Sequence, residues 1–143
     1  CTRPPAEPPP MVRSREHRAR RIYAAMHTLD PSRLSVALAD DSRLAILVLL
    51  AAEGPLCVCE LIHALAAPQP RVSQHLARLR GAGLVAHRRV ANRHYYALAA
   101  DLPDWVARVV DGYRDGFAET GRLDALRARL AAMPDRPPRL EAA

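Results

Sequence analysis

The sequence predicts a winged helix-turn-helix, a mainly α fold with a small β-hairpin. Three observations carry that expectation. Between Pro55 and Gly83 the chain reads PLCVCELIHALAAPQPRVSQHLARLRGAG, which holds two short amphipathic segments separated by a Pro-Gln-Pro break. Two strand-like segments follow at once, Leu84–Arg89 and Arg93–Leu98, joined by Val90-Ala91-Asn92. Ahead of both, the stretch from Asp41 to about Ala52 is apolar almost all round, as a helix at the centre of a domain must be.

Taken in order, residues 1–13 open with five prolines and predict a disordered tail. From Ser14 to Thr28 a helix is expected, with Ile22, Met26 and Leu29 on one face and Arg13, Arg15, Arg18, Arg20 and Arg21 making its start basic. Asp30-Pro31 is a helix entry, with Asp as N-cap and Pro at the first helical position. That helix covers about Pro31 to Ala39, and Asp40 or Asp41 caps the next. Gly54 and Pro55 end the central helix.

The first amphipathic segment, about Leu56 to Leu65, places Val58, Leu61, Ile62 and Leu65 at the i, i+3, i+4, i+7 spacing of one helix face. The second, about Pro70 to Arg80, buries Val72, Leu76 and Leu79 by the same rule. Its other faces carry Arg71, Ser73, Gln74, His75 and Arg78. Gly81 and Gly83 suit a helix stop, because glycine takes the left-handed conformation at a C-terminus at no steric cost. A short helix, a tight turn and a second helix with a basic, amide-rich outer face form a helix-turn-helix. The hairpin placed directly after it, with Tyr95 and Tyr96 suited to a strand, makes the wing. Pro103 opens a long helix to about Met133, and Pro134, Pro137 and Pro138 predict a loose C-terminal tail over residues 134–143. Residues 14–133 thus read as one DNA-binding and dimerisation domain. An apolar-striped helix at each end of a small DNA-binding core predicts a homodimer through the first and last helices; the alternative is that both helices only cover their own core.

The totals agree with one domain of 143 residues, half of them hydrophobic. No apolar run reaches the length of about 20 residues that spans a bilayer, so no membrane role is expected. Cysteines at 1, 57 and 59 do not make a disulfide framework, and two thiols one residue apart fit a cytoplasmic protein better. The formal net charge is +6, and it is concentrated: from Leu61 to Ala100 there is no Asp or Glu, while Arg71, Arg78, Arg80, Arg88, Arg89 and Arg93 all lie there. A basic stretch centred on a recognition helix is the electrostatic footprint of a double-stranded DNA partner. Gln69, Ser73, Gln74, His75 and Arg78 are placed to reach the major groove, where Gln and Arg pair with adenine and guanine edges. Arg71 and Arg80, with Arg88, Arg89 and Arg93 of the wing, are phosphate contacts.

The second motif is Cys57-Val58-Cys59. Thiolates are ligands for soft ions such as arsenite, antimonite, cadmium and lead. At about 100° per residue, the two cysteines would lie about 200° apart around an ideal helix and could not share one ion. Either the pair sits in a frayed first turn or binding unwinds it. A helix N-terminus also lowers thiol pKa, which favours the ligand form. His63, one turn after Cys59, and Cys1, on the flexible tail, are secondary candidate ligands. An enzyme using these cysteines as redox thiols is the competing class, but there is no Cys-x-x-Cys, phosphate loop or evident general base beside them. A DNA-binding module with inert cysteines is another.

ALADDSRLAILVLL, LCVCELIHAL, QPRVSQHLARLRGAGLV and the hairpin ending HYYAL together resemble the ArsR/SmtB family of metal-responsive repressors, over about Leu34 to Tyr113. The LCVCEL stretch, with LPDW after the hairpin, is similar to the arsenic-responsive branch. The resemblance implies a dimeric repressor that leaves its operator when As(III) or Sb(III), acting as inducer, binds Cys57 and Cys59. No organic cofactor is expected. Cadmium, lead or thiol oxidation are the alternative signals. In that branch a third cysteine stands three positions after the second; here the position is Ile62. The zinc-sensing branch uses His and acidic residues on the last helix, and Pro103–Met133 contains no His, so that site is not expected.

Overall fold

The computed structural model describes residues 29–141. The expected proline-rich tail, the helix over Ser14–Thr28 and Cys1 lie outside the described residues. Asp30 caps helix α1 (Pro31–Leu38) by accepting a 2.8 Å hydrogen bond from the Arg33 N–H. Asp40 does the same for α2 (Asp41–Glu53), accepting from Arg43 N–H at 3.0 Å. The all-apolar pattern of α2 is matched by its position: every residue from Ala45 to Leu50 is buried. Each such leucine or valine contributes about 1.5–3 kcal/mol through removal from water. The helix ends at Gly54, whose φ of +79° is one that side chains rarely adopt.

The chain then forms β1 (Leu56–Cys57), α3 (Val58–Leu65), α4 (Gln69–Gly81), the hairpin strands β2 (Val85–Val90) and β3 (Arg93–Leu98), α5 (Asp104–Glu119) and α6 (Arg122–Ala131). The sheet is antiparallel with order β1-β3-β2. Val90 pairs with Arg93, so the hairpin turn has two residues rather than the expected three. Ala91 and Asn92 both have positive φ, 49° and 65°, the hand that matches strand twist in a tight hairpin. Asn is suited to that conformation; Ala carries a modest steric cost there.

Two expectations need correction. The chain from Pro103 to Met133 is two helices. The first ends at Thr120, whose hydroxyl donates to Gly116 O at 2.8 Å, and Gly121 at φ +75° turns the chain. A single straight helix would carry Leu123, Leu126 and Leu130 away from the body; the break lets α6 bury all three. Residues 134–141 lack regular structure, as their prolines predict, but they are held against the body. Arg136 Nε donates to Glu60 Oε2 at 2.7 Å, Arg139 Nη2 to Glu53 Oε2 at 2.7 Å, and Tyr95 Oη to Pro138 O at 3.2 Å. No helix among the described residues is long and apolar enough to cross a membrane.

Candidate thiol site and nucleic-acid interface

The α3–α4 unit has the geometry of a helix-turn-helix. Ala66 closes α3 in the left-handed conformation at φ 50°, and Pro70 sits in the first turn of α4, where its missing N–H costs nothing. Val72, Leu76 and Leu79 are fully buried against the same core as Leu47 and Leu61. Gln69, Arg71, Ser73, Gln74, Arg78 and Arg80 are exposed on the opposite side. The wing leaves Arg88, Arg89 and Arg93 exposed, and Arg89 Nη2 donates to Asn92 Oδ1 at 3.0 Å across the turn. Exposed guanidinium groups thus lie on both elements, within a stretch of chain, residues 61–100, that contains no Asp or Glu.

His75 is placed differently from its expected base-reading role. Its side chain is only 14% exposed and its Nε2 lies 3.7 Å from Asp40 Oδ1. Its Nδ1 is 3.5 Å from Arg43 Nη1. The Arg43 N–H bonded to Asp40, with His75 and the Arg43 guanidinium nearby, holds the Asp40 carboxyl below its usual range. His75 therefore fastens the recognition helix to the start of α2 instead of facing outward.

The thiol pair is built from two elements. Cys57 is not helical: it ends β1 with φ −67° and ψ 148°, paired with Tyr95 of β3, and serves as N-cap of α3. Cys59 lies in the first turn of that helix. This answers the difficulty of two cysteines on opposite sides of a helix, because only one of them is in it. The Cys59 thiol donates to Cys57 Sγ at 2.9 Å. Two sulfurs bound to one tetrahedral ion at about 2.3 Å stand about 3.8 Å apart, so small side-chain rotations suffice for chelation and the turn need not unwind. Cys57 is buried and Cys59 is half-buried.

The expectation of a lowered thiol pKa is overturned for Cys59. Burial pushes its thiol up to about 11, aided by the hydrogen bond to Cys57 and by the charges of Cys57 and Glu60. Cys59 is therefore a protonated thiol at neutral pH, and ligation releases its proton to solvent or to a leaving hydroxide. His63 is exposed, and among the described residues Cys57, Cys59 and His63 form no three-donor cluster. Cys1 lies outside the described residues.

Sequence reasoning missed Glu60. It is 3% exposed, and its Oε1 accepts the Cys57 N–H at 2.9 Å. An acid three residues after an N-cap, reaching back to the cap's N–H, is half of a capping box, and that spacing was a readable signal. Nothing in the sequence marked its partner Arg136.

The sequence signature described as "Bacterial regulatory protein, arsR family" matches residues 40–87, from the α2 cap through the recognition helix into β2. The arsenic resistance transcriptional regulator ArsR1 of Pseudomonas putida is 46% identical over 109 residues, covering 76% of this chain and 84% of its own. HlyU from Vibrio cholerae has a similar solved structure, with TM-score 0.53 and 34% identity over 61% of this chain and 90% of its own. The antimony-specific transcriptional repressor AntR aligns with TM-score 0.50 and 26% identity over 66% of this chain and 97% of its own. By its winged helix-turn-helix and these likenesses, the chain belongs to the arsR family of bacterial regulatory proteins, which are transcriptional regulators and not enzymes.

Proposed function

We propose that this protein is a homodimeric transcriptional repressor that binds operator DNA and releases it when As(III) or Sb(III) is taken up by Cys57 and Cys59. The observation that carries this reading is the 2.9 Å contact between the two sulfurs at the start of α3. That helix shares its core residue Leu61 with Val72 and Leu76 of the recognition helix. The naming of the Pseudomonas putida relative for arsenic resistance and of AntR for antimony supports the same class of inducer.

The chemistry balances without a cofactor. Arsenous acid condenses with two thiols, losing two waters and leaving a dithiolate As–OH. The third donor is thus solvent-derived, or a small exogenous thiol that displaces it. Ordering a proline-rich tail to bring in Cys1 would cost entropy. Seating one centre between Cys57 and Cys59 spreads sulfurs that stand 2.9 Å apart; the side-chain rotations displace the first turn of α3 without unwinding it, and the packed core carries that shift to α4. A coupling of about 1–3 kcal/mol is typical of such linkage and weakens DNA binding about 5- to 150-fold. On the DNA side, Gln69, Ser73, Gln74 and Arg78 read bases, while Arg71, Arg80, Arg88, Arg89 and Arg93 hold phosphates. Dimerisation is supported by Tyr113, which is 41% exposed and lines a groove with Leu34, Leu38, Trp105 and Val109.

Fluorescence anisotropy of a labelled promoter fragment, titrated with arsenite under reducing conditions, tests this. Cys57→Ser and Cys59→Ser keep operator affinity and lose arsenite-driven release. Unchanged release in the double variant would move the sensor elsewhere. Release by an oxidant alone would assign thiol oxidation as the signal.

A further inference from the structure

The C-terminal segment makes contacts on both sides of the thiol pair. Glu60 is buried beneath Cys57 and uses both carboxylate oxygens: Oε1 accepts the Cys57 N–H at 2.9 Å and Oε2 accepts Arg136 Nε at 2.7 Å. Tyr95, which faces Cys57 across the β1–β3 ladder, donates its hydroxyl to Pro138 O at 3.2 Å. Arg139 reaches Glu53 at the end of α2, just before the strand that carries Cys57. The tail is therefore attached to the residue behind Cys57, the residue opposite it and the helix leading into it.

We infer that residues 134–141 form a strap that preorganises the thiol pair, with Arg136 as a positioning residue acting on Cys57 through Glu60. This deepens the reading above and rests on it. Arg136 pins the Glu60 carboxylate, and the pinned carboxylate fixes the backbone of Cys57. That backbone sets where Cys57 Sγ lies relative to Cys59 Sγ. A chelate whose donors already stand together avoids the ordering cost of gathering them on binding. Without Arg136, Glu60 loses its ion-pair partner in a buried site and turns toward solvent. The Cys57 N–H then loses its acceptor and the thiols splay. Partners that orient ligands in this way commonly matter about 10- to 100-fold in affinity.

The test uses the full chain and two readouts: absorbance of the arsenic–thiolate bond against arsenite concentration, and operator affinity without arsenite. Arg136→Ala is expected to raise the half-saturating arsenite concentration about 10- to 100-fold. Operator affinity should stay within about twofold, because the hydrogen bond that Arg136 makes is to Glu60 and not to the exposed arginines of α4 or the wing. Arg136→Lys restores much of the arsenite affinity by returning a cation to Glu60. Arg136→Gln keeps the stem and a neutral donor; it decides the matter if the alanine form does not fold, and it too should bind arsenite several-fold more weakly. Parent-like half-saturation in Arg136→Ala or Arg136→Gln overturns the inference. So does a fall in operator affinity that matches the loss of arsenite affinity, since that is general destabilisation. A Cys57→Ser control that still gives the arsenic–thiolate band and full release overturns the strap and the sensor reading together. A silent control with parent-like Arg136 variants overturns only the strap.

Discussion

Arg43 is buried to 8% exposure, and replacing it with Met isolates what its guanidinium does. The stem occupies core space that Met also fills, so the cavity cost is small. The head group donates from Nε to Ala37 O at 2.7 Å and from Nη2 to Val36 O at 3.3 Å, the last carbonyls of α1. A hydrogen bond from a charged donor is worth about 1.5–3 kcal/mol, and the first bond takes that full value. The second is long, and Val36 is 71% exposed, so water replaces much of it. Removing the guanidinium also relieves its desolvation, which offsets part of the loss. The net expectation is about 2 kcal/mol of stability. For a domain of this size that lowers Tm by about 6–12 °C. Thermal unfolding at pH 7 reads it directly. Operator binding at 20 °C should change only a few-fold, because the folded fraction remains close to one and neither Arg43 nor His75 faces the groove. A Tm drop below about 2 °C would refute the account of α1 closure. Loss of sequence preference in Arg43→Met would refute the inward placement of His75.

Asp40→Ala removes the α2 cap and should cost about 1 kcal/mol at pH 7, measured by urea unfolding. Because the folded-state pKa of Asp40 is lowered, its charge-dependent contribution is fully present above the unfolded value near 3.8. It is lost as pH falls through the lower folded value, so parent and variant should converge toward pH 2. On the DNA side, Arg78→Ala should cost about 1–3 kcal/mol of specific binding and relax sequence preference, read by competition between the operator and scrambled fragments. Arg89→Ala should weaken both fragments alike and reduce the salt slope by about 1; an unchanged slope would remove the wing from the phosphate contacts.

Several features of this protein are properties of short stretches, and those were legible in the residues alone. The buried stripe Val72–Leu76–Leu79, the two Asp caps, the central all-apolar helix and the acid-free basic stretch each follow from spacing within a few turns of chain. The Cys-Val-Cys motif likewise marked two neighbouring thiols, whose sulfurs stand 2.9 Å apart in the fold. What tertiary structure decided concerns partners distant in sequence. A two-residue strand has no periodicity to read, so only its pairing with Tyr95 and Tyr96 takes Cys57 out of the helix and allows the thiols to meet. The break at Gly121 depends on whether α6 has a surface to fold back onto. His75 turns inward because Asp40 and Arg43 happen to lie beneath it, and Arg136 reaches Glu60 across 76 residues of chain. Side-chain spacing sets which face of an element is apolar; which groups stand opposite a given polar atom is set by how the chain returns on itself.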